Sequence, residues 1–260
     1  MRLPLYQVDA FARNAFEGNP AAVVPLDEWI DDEIMQSIAQ ENNLAETAFF
    51  VKEGNAFHIR WFTPNKKEVS LCGHATLASA FVLFEVMGYP DDTIHFTCLA
   101  GNLKVVREGA LITMDFPSQP PEPCETYTLL EKGLGVKPLE CLQDEDILVR
   151  VESEAILKSI EPNHDFLIQL PLRGVMVTAP SEQYDFVSRF FAPKYGIPED
   201  SVTGSSFTKL TPYWAAVLGK TKLKARQVSE RGGDVFTELK GDRVTVSGHA
   251  VLYLKGEIHI

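Results

Sequence analysis

Two dipeptides carry the clearest chemical potential in this chain. Gly73-His74 and Gly204-Ser205 each place a polar side chain directly after a glycine, at the head of an apolar run. If both runs are helices, each head presents unpaired N–H groups and a partial positive charge. Glycine also lets a ligand approach the backbone. Taken singly, each head is more simply a capped helix. As a pair facing one cleft, they would bind a carboxylate or stabilise an enolate-like oxygen. Asp200 precedes Ser205, and Glu68 precedes His74. Such acidic residues either sit solvated beside a cap, or orient a base or bind a substrate amine. Glu46 opens the apolar run Thr47–Val51. A carboxylate at such a junction is either exposed or turned into a cleft, where burial would raise its pKa and suit it to act as both acid and base. Cys72 precedes Gly73, but the matching position before Gly204 is Thr203, so a symmetric two-thiol mechanism is disfavoured.

The remaining composition narrows the field. The 260 residues are 45% hydrophobic and 23% charged, which is ordinary for a globular protein. A net charge of −12 argues against nucleic acid or an anionic membrane surface as the main partner. The four cysteines form no C-x-x-C pair and the six histidines no H-x-x-x-H pattern, so neither a disulfide framework nor a metal site has sequence support. The glycines match neither a Walker A nor a Rossmann pattern, and no nucleotide or other cofactor is indicated. No apolar run approaches the ~18 residues of a membrane span. The N-terminal residues carry no apolar signal core, and the expected location is the cytoplasm.

These residues need elements to position them, and the chain supplies the elements twice. Gly73–Gly88 and Gly204–Gly219 both start at a glycine, run through apolar residues and stop at a glycine. In the same register Gly101 falls on Gly232 and, one insertion later, Leu111–Asp115 falls on Arg243–Ser247. This pattern predicts an internal duplication. The apolar residues of both glycine-started segments lie all round, as in helices buried on every side. Short runs with strand character surround them: Leu5–Phe11, Ala21–Val24, Thr47–Val51, Phe57–Phe62, Thr93–Cys98, Leu103–Arg107 and Leu111–Asp115 in the first half. In the second they are Ile147–Val151, Phe166–Leu170, Val175–Thr178, Leu223–Val228, Val235–Leu239, Val244–Ser247 and Val251–Lys255. An amphipathic helix fits Asp31–Asn43, with Ile34, Ile38 and Ala39 on one face. Phe16–Val23 reads as a turn into a buried strand, and Trp61, Phe62, Tyr213 and Trp214 as core. The proline-rich stretch Phe116–Pro123 reads as a linker. The expected fold is α+β: two pseudo-symmetric lobes, residues 1–117 and 118–260, each a barrel-like sheet around a buried helix. The C-terminal strand has the option of crossing back to the first lobe. A cleft between the lobes is the expected ligand site.

Several segments resemble the PhzF-like proteins, relatives of the phenazine biosynthesis isomerase. They are FEGNPAAVV at Phe16–Val24, NLAETAFF at Asn43–Phe50, RWFTPNKKEVSLCGHATLA at Arg60–Ala78 and EDSVTGSSFTKLTPYW at Glu199–Trp214. Gln227–Gly233 and Gly241–Gly248 add to them, so the likeness runs in order through nearly the whole chain. The resemblance implies a diaminopimelate epimerase-like fold. It implies that Glu46 is the acid/base residue, and it places the family's histidine, aspartate and serine at His74, Asp200 and Ser205. Phe207 and Thr208 stand where many members have histidine and cysteine, and Ser201 where proline is usual. These departures bear on substrate identity and on the pocket wall near the second helix.

Together these readings predict a cofactor-independent isomerase acting on a small carboxylate-bearing metabolite. Glu46 would move the proton, His74 and Asp200 would hold the substrate and set its protonation, and Gly73, Gly204 and Ser205 would bind its carboxylate. A racemase or epimerase with a carboxylate base, and a non-catalytic metabolite-binding protein, are the alternatives. A homodimer is the expectation from the prevalence of two-fold oligomers.

Overall fold

The computed structural model describes residues Met1–Ile260. The chain divides into two compact units, Met1–Phe116 with Ser247–Ile260, and Pro117–Val246. The last residues thus belong to the first unit; the sequence reading set the lobes at 1–117 and 118–260 and left open a C-terminal strand that crosses back.

The first unit contains β1 (Arg2–Ala10), β2 (Asn19–Leu26), α1 (Asp32–Asn42), β3 (Thr47–Glu53), β4 (Ala56–Phe62), β5 (Glu68–Val69), α2 (Gly73–Phe81), β6 (Thr93–Cys98), β7 (Gly101–Glu108) and β8 (Leu111–Pro117). The second contains β9 (Glu122–Pro123), α3 (Thr128–Leu134), β10 (Glu140–Gln143), β11 (Ile147–Arg150), α4 (Glu154–Ser159), α5 (His164–Leu167), β12 (Val175–Pro180), β13 (Phe186–Ala192), β14 (Ile197–Asp200), α6 (Phe207–Leu218), β15 (Lys222–Gln227), β16 (Gly233–Lys240) and β17 (Arg243–Gly248). β18 (Ala250–His259) closes the first unit by pairing antiparallel with β1, from Arg2↔His259 to Ala10↔Ala250.

Strand pairing repeats from unit to unit. In the first, β1 and β2 are antiparallel, β2 and β3 parallel, β3 and β4 antiparallel, β4 and β6 parallel, and β6 and β7 antiparallel. In the second, the same sequence of pairings joins β10, β11, β12, β13, β15 and β16. The short strands β5 and β14 sit on β4 and β13, and β18 and β9 on β1 and β10. An ion pair is repeated too. Arg60 of β4 holds Glu68 of β5 through Nε and Nη2, at 2.8 and 2.7 Å, and Arg189 of β13 holds Glu199 of β14, both bonds at 2.8 Å. Glu68 is therefore a structural partner.

Each unit buries one helix within its sheet. From Gly73 to Ala80 every residue of α2 is buried, and α2 packs on β1, β2, β3 and β18. A single π-helical turn, Val82–Val86, continues it to Gly88, whose φ of +68° ends the helix. A 3₁₀ turn at Gly204–Ser206 leads into α6, which is buried from Phe207 to Thr211. The last turn of α6 departs from the all-round burial expected of it, because Val217 and Leu218 are exposed. Tyr213 also lies outside the core, with its phenol on Glu140, while Trp61, Phe62 and Trp214 are buried.

The outer helices cover the sheets. Asp31 caps α1 by accepting from Glu33 N, and Asn43 ends it in the left-handed region. Its buried face is Met35, Ile38 and Ala39, packed with Val24, Phe49 and Phe62; Ile34 is 37% exposed and faces outward. In the second unit Leu130, Leu157 and Leu167 of α3, α4 and α5 pack on Val149, Val177 and Val187. The expected strand at Phe166–Leu170 is instead the end of α5 and a turn, because the Asn163 side chain caps Asp165 N and starts a helix. β13 was not foreseen: its residues are buried on both faces, so no alternation marks it. No helix is long and apolar enough to cross a membrane.

Candidate active site

In the first unit three elements converge on a small titratable cluster. α1 ends at the left-handed Asn43, and the chain turns through Leu44 and Ala45 into β3. Glu46 stands at that entry, with its carbonyl accepting from Ala22 N of β2 at 3.3 Å. His74 lies in the first turn of α2, one residue after Gly73. Its Nε2 is 3.3 Å from Glu46 Oε2, and the two side chains are only 7% and 13% exposed. On the opposite edge of the ring, Nδ1 lies 3.6 Å from Cys72 Sγ. Two of the four residues taken over from the resemblance, Glu46 and His74, are thus neighbours.

Burial sets the charge of this cluster. Desolvation pushes the His74 imidazole down to a pKa of about 4, so it is neutral at pH 7. Its Nε2 is buried without an aligned hydrogen bond. At the head of α2, Cys72 in the N-cap position makes no side-chain cap bond. Simple capping therefore does not explain this helix start.

Glu46, Cys72 and His74 offer three donor atoms within 4.8 Å of one another. Sequence spacing did not reveal this group, because Glu46 joins it only through the fold. A thiol, an imidazole and a carboxylate could hold a soft divalent ion. Here, however, the thiol and the carboxylate flank opposite nitrogens of one ring. That arrangement suits proton transfer along the ring better than ligation at one point.

In the second unit Gly204 and Ser205 open the turn into α6, with Thr203 at the cap position and again no side-chain cap bond. The Thr203 hydroxyl donates instead to Asp200 Oδ2 at 2.5 Å. Gln227, fully buried, fixes this loop: its Oε1 accepts from Thr203 N at 2.9 Å and its Nε2 donates to the Asp200 carbonyl at 2.7 Å. Asp200, Gly204 and Ser205 thus form one compact loop. Phe207 is core, and Thr208 donates to Gln119 and to the Ser205 carbonyl, so both departures from the family pattern support the helix start from behind.

The duplication brings out a residue that sequence reasoning missed. The Glu46 carbonyl accepts from Ala22 N; at the same point of the second unit, the Gly174 carbonyl accepts from Ile147 N. Glycine therefore occupies the repeat position of Glu46. Beside it, Arg173 donates from Nη2 to Ser205 Oγ, the counterpart of His74, at 3.2 Å. The guanidinium is anchored on Asp146, which is fully buried, at 2.8 and 2.6 Å. Where the first unit sets a carboxylate beside its polar residue, the second sets a cation. Only the aligned strand pairings identify Arg173, since nothing in its local sequence marks it.

A groove of about 400 Å³ on the second unit, lined by Pro120, Pro121, Pro212, Tyr213, Ala216 and Val217, includes none of these residues and holds no titratable cluster.

A helix inside a sheet, made twice in one chain with matching strand order, is the diaminopimelate epimerase-like architecture. The model of the phenazine biosynthesis-like proteins matches residues 8–256, and the chain belongs to that family. An uncharacterized isomerase of Pseudomonas aeruginosa is 49% identical over the full length of both chains. The crystal structure of a PhzF-family phenazine biosynthesis protein from Enterococcus faecalis is 46% identical, covers all of both chains and superposes with a TM-score of 0.98. A hydroxyproline epimerase from Agrobacterium vitis, with bound trans-4-hydroxy-L-proline, shares the fold at 12% identity and a TM-score of 0.62, over 99% of this chain and 92% of its own.

Proposed function

We propose that the protein is an isomerase that moves a proton on a small carboxylate-bearing metabolite, with Glu46 as its acid and base. The observation that carries this reading is the buried pair of Glu46 and His74, 3.3 Å apart. A carboxylate held beside a neutral imidazole is placed to accept and return a proton. Glu46 takes a proton from a substrate carbon: the C–H bond breaks, the O–H bond forms, and the electron pair moves toward the substrate carboxylate. The N–H groups in the first turn of α2, at Gly73 and His74, are suited to the charge that develops. Glu46 then returns the proton to a different carbon, which shifts the double bond. In the same reading Asp200, Gly204 and Ser205 bind substrate, with Arg173 holding Ser205 as an acceptor so that the hydroxyl hydrogen is free to donate.

One observation favours a second reading. Cys72, whose sulfur lies within 4.8 Å of a Glu46 carboxylate oxygen, is a second group able to exchange a proton. Proton removal on one side and return on the other would make the reaction an epimerisation. The fold neighbour bound to hydroxyproline fits substrates of amino-acid type.

Mass spectrometry of metabolites incubated with the protein in deuterated water tests both. Glu46-dependent deuterium uptake supports the proposal, and its position separates a moved double bond from an inverted centre. We expect Glu46→Gln to slow uptake by about 100- to 10,000-fold while leaving binding in place. Uptake unchanged in that variant removes Glu46 from the mechanism, and binding without any uptake favours a metabolite-binding protein.

A further inference from the structure

Cys124 and Cys141 stand apart from the site just described, and their sulfurs are 3.0 Å apart. They sit on facing chain segments: β9 pairs with β10 at Leu142↔Pro123 and Gln143↔Glu122, and Cys124 with Cys141 is the next step of that register. Cys124 N donates to the Cys141 carbonyl at 3.0 Å, which holds the two backbones together. Directly opposed residues of an antiparallel pair have Cα atoms ~4.5–5.5 Å apart, inside the range a disulfide spans. The sulfurs need to close by about 1 Å to reach bonding distance.

We propose that Cys124 and Cys141 form a reversible disulfide, made by a peroxide or a small-molecule disulfide. With hydrogen peroxide, the Cys124 sulfur attacks one oxygen. The O–O bond breaks, sulfur is oxidised to a sulfenic acid, and the other oxygen leaves as water with the thiol proton. The Cys141 sulfur then attacks the sulfenic sulfur; the S–S bond forms, the S–O bond breaks, and hydroxide leaves with the Cys141 proton as a second water. Cys124 reacts first because it is the more exposed, while Cys141 is only 7% exposed. Burial and the adjacent thiol push the Cys141 pKa up to about 12, which holds Cys141 as a thiol. The other cysteines have different surroundings: Cys72 lies against His74, and Cys98 donates to the Gly101 carbonyl at 3.3 Å.

The bridge would clasp the start of the second unit to its sheet. Gln119, five residues before Cys124, accepts from Thr208 and Lys209 of α6, and Glu140, beside Cys141, accepts from Tyr213 of the same helix. Oxidation would therefore tighten both supports of the helix that Ser205 introduces.

Peptide mapping of the intact, reduced protein is a direct test. The chain is exposed to hydrogen peroxide or, in parallel, to glutathione disulfide, then alkylated and digested with trypsin without reduction. Lys132 separates the two cysteines into different peptides. The expected result is a cross-linked peptide carrying Cys124 and Cys141 in most molecules, reversed by dithiothreitol, with Cys72 and Cys98 alkylated. Recovery of Cys124 as an alkylated thiol, a sulfinic acid or a glutathione adduct, with Cys141 still free, would overturn the proposal. So would a bridge from either residue to Cys72 or Cys98. The result does not depend on the catalytic reading, because no substrate or turnover enters it.

Discussion

His74 owes its state to burial alone, and that has a cost the protein shows as pH falls. The folded pKa of about 4 lies below the ordinary 6.5, so below pH 6.5 the unfolded chain takes up a proton that the folded chain refuses. Stability is lost as pH drops from about 6.5 toward 4, by up to about 3 kcal/mol. Urea unfolding across that range should show the slope, and His74→Gln should flatten it; an unchanged slope in the variant would place the effect elsewhere. Arg173 makes a complementary case. Arg173→Met leaves Asp146 as a fully buried carboxylate without its bidentate partner, which should cost about 3–5 kcal/mol in chemical denaturation. A loss below 1 kcal/mol would mean that Lys209, 3.8 Å from Asp146, is sufficient for it. At this scale the sequence was informative where residue type and a flanking glycine coincide, as at His74 and Ser205. It was silent on Arg173 and Asp146, whose partnership depends on strands distant in sequence.

At the scale of elements, the two glycine-headed helices and most strands were legible because apolar periodicity and glycine stops are local. β13 and the short helices α3 to α5 were not, since a strand buried on both faces has no alternation and helices of one or two turns have little periodicity. The link from the buried helix to its sheet rests partly on one bond, Trp214 Nε1 to Thr178 Oγ1 at 2.9 Å, with both residues buried. Thr178→Val keeps the shape and strands the indole N–H, so calorimetry should register a loss of about 1–3 kcal/mol. The turn before β2 has a steric signature. Gly18 has φ +66°, and a Cβ there would lie 2.1 Å from the Ala10 carbonyl oxygen. Gly18→Ala should destabilise the protein by about 2–4 kcal/mol; a neutral effect would show that β1 and β2 can part at that end. That turn was read as structural from its residues, and the buried Asp9 carboxylate holding Phe16 N at 2.9 Å gives the reason.

At the scale of the whole molecule, duplication was the strongest signal in the sequence, although few residues are identical between the halves. What survives is the set of positions that geometry makes irreplaceable: glycines at helix ends, and an arginine that ties two strands through a glutamate. The exchange of the last strand was harder to place, because a strand's sequence does not name its partner. Ending the chain at Ser247 removes β18 and leaves β1 without its register from Arg2 to Ala10. Such a chain should lose cooperative thermal unfolding of the first unit, and a Tm within about 3 °C of the full-length value would contradict this. The same interleaving imposes an order on synthesis. Residues 117–246 are contiguous and can complete their core as they leave the ribosome, whereas β1, made before them, waits for β18, made after them. At ~5–20 residues per second that wait exceeds roughly ten seconds, during which one edge of the nascent sheet that will hold Glu46 stands open to other chains.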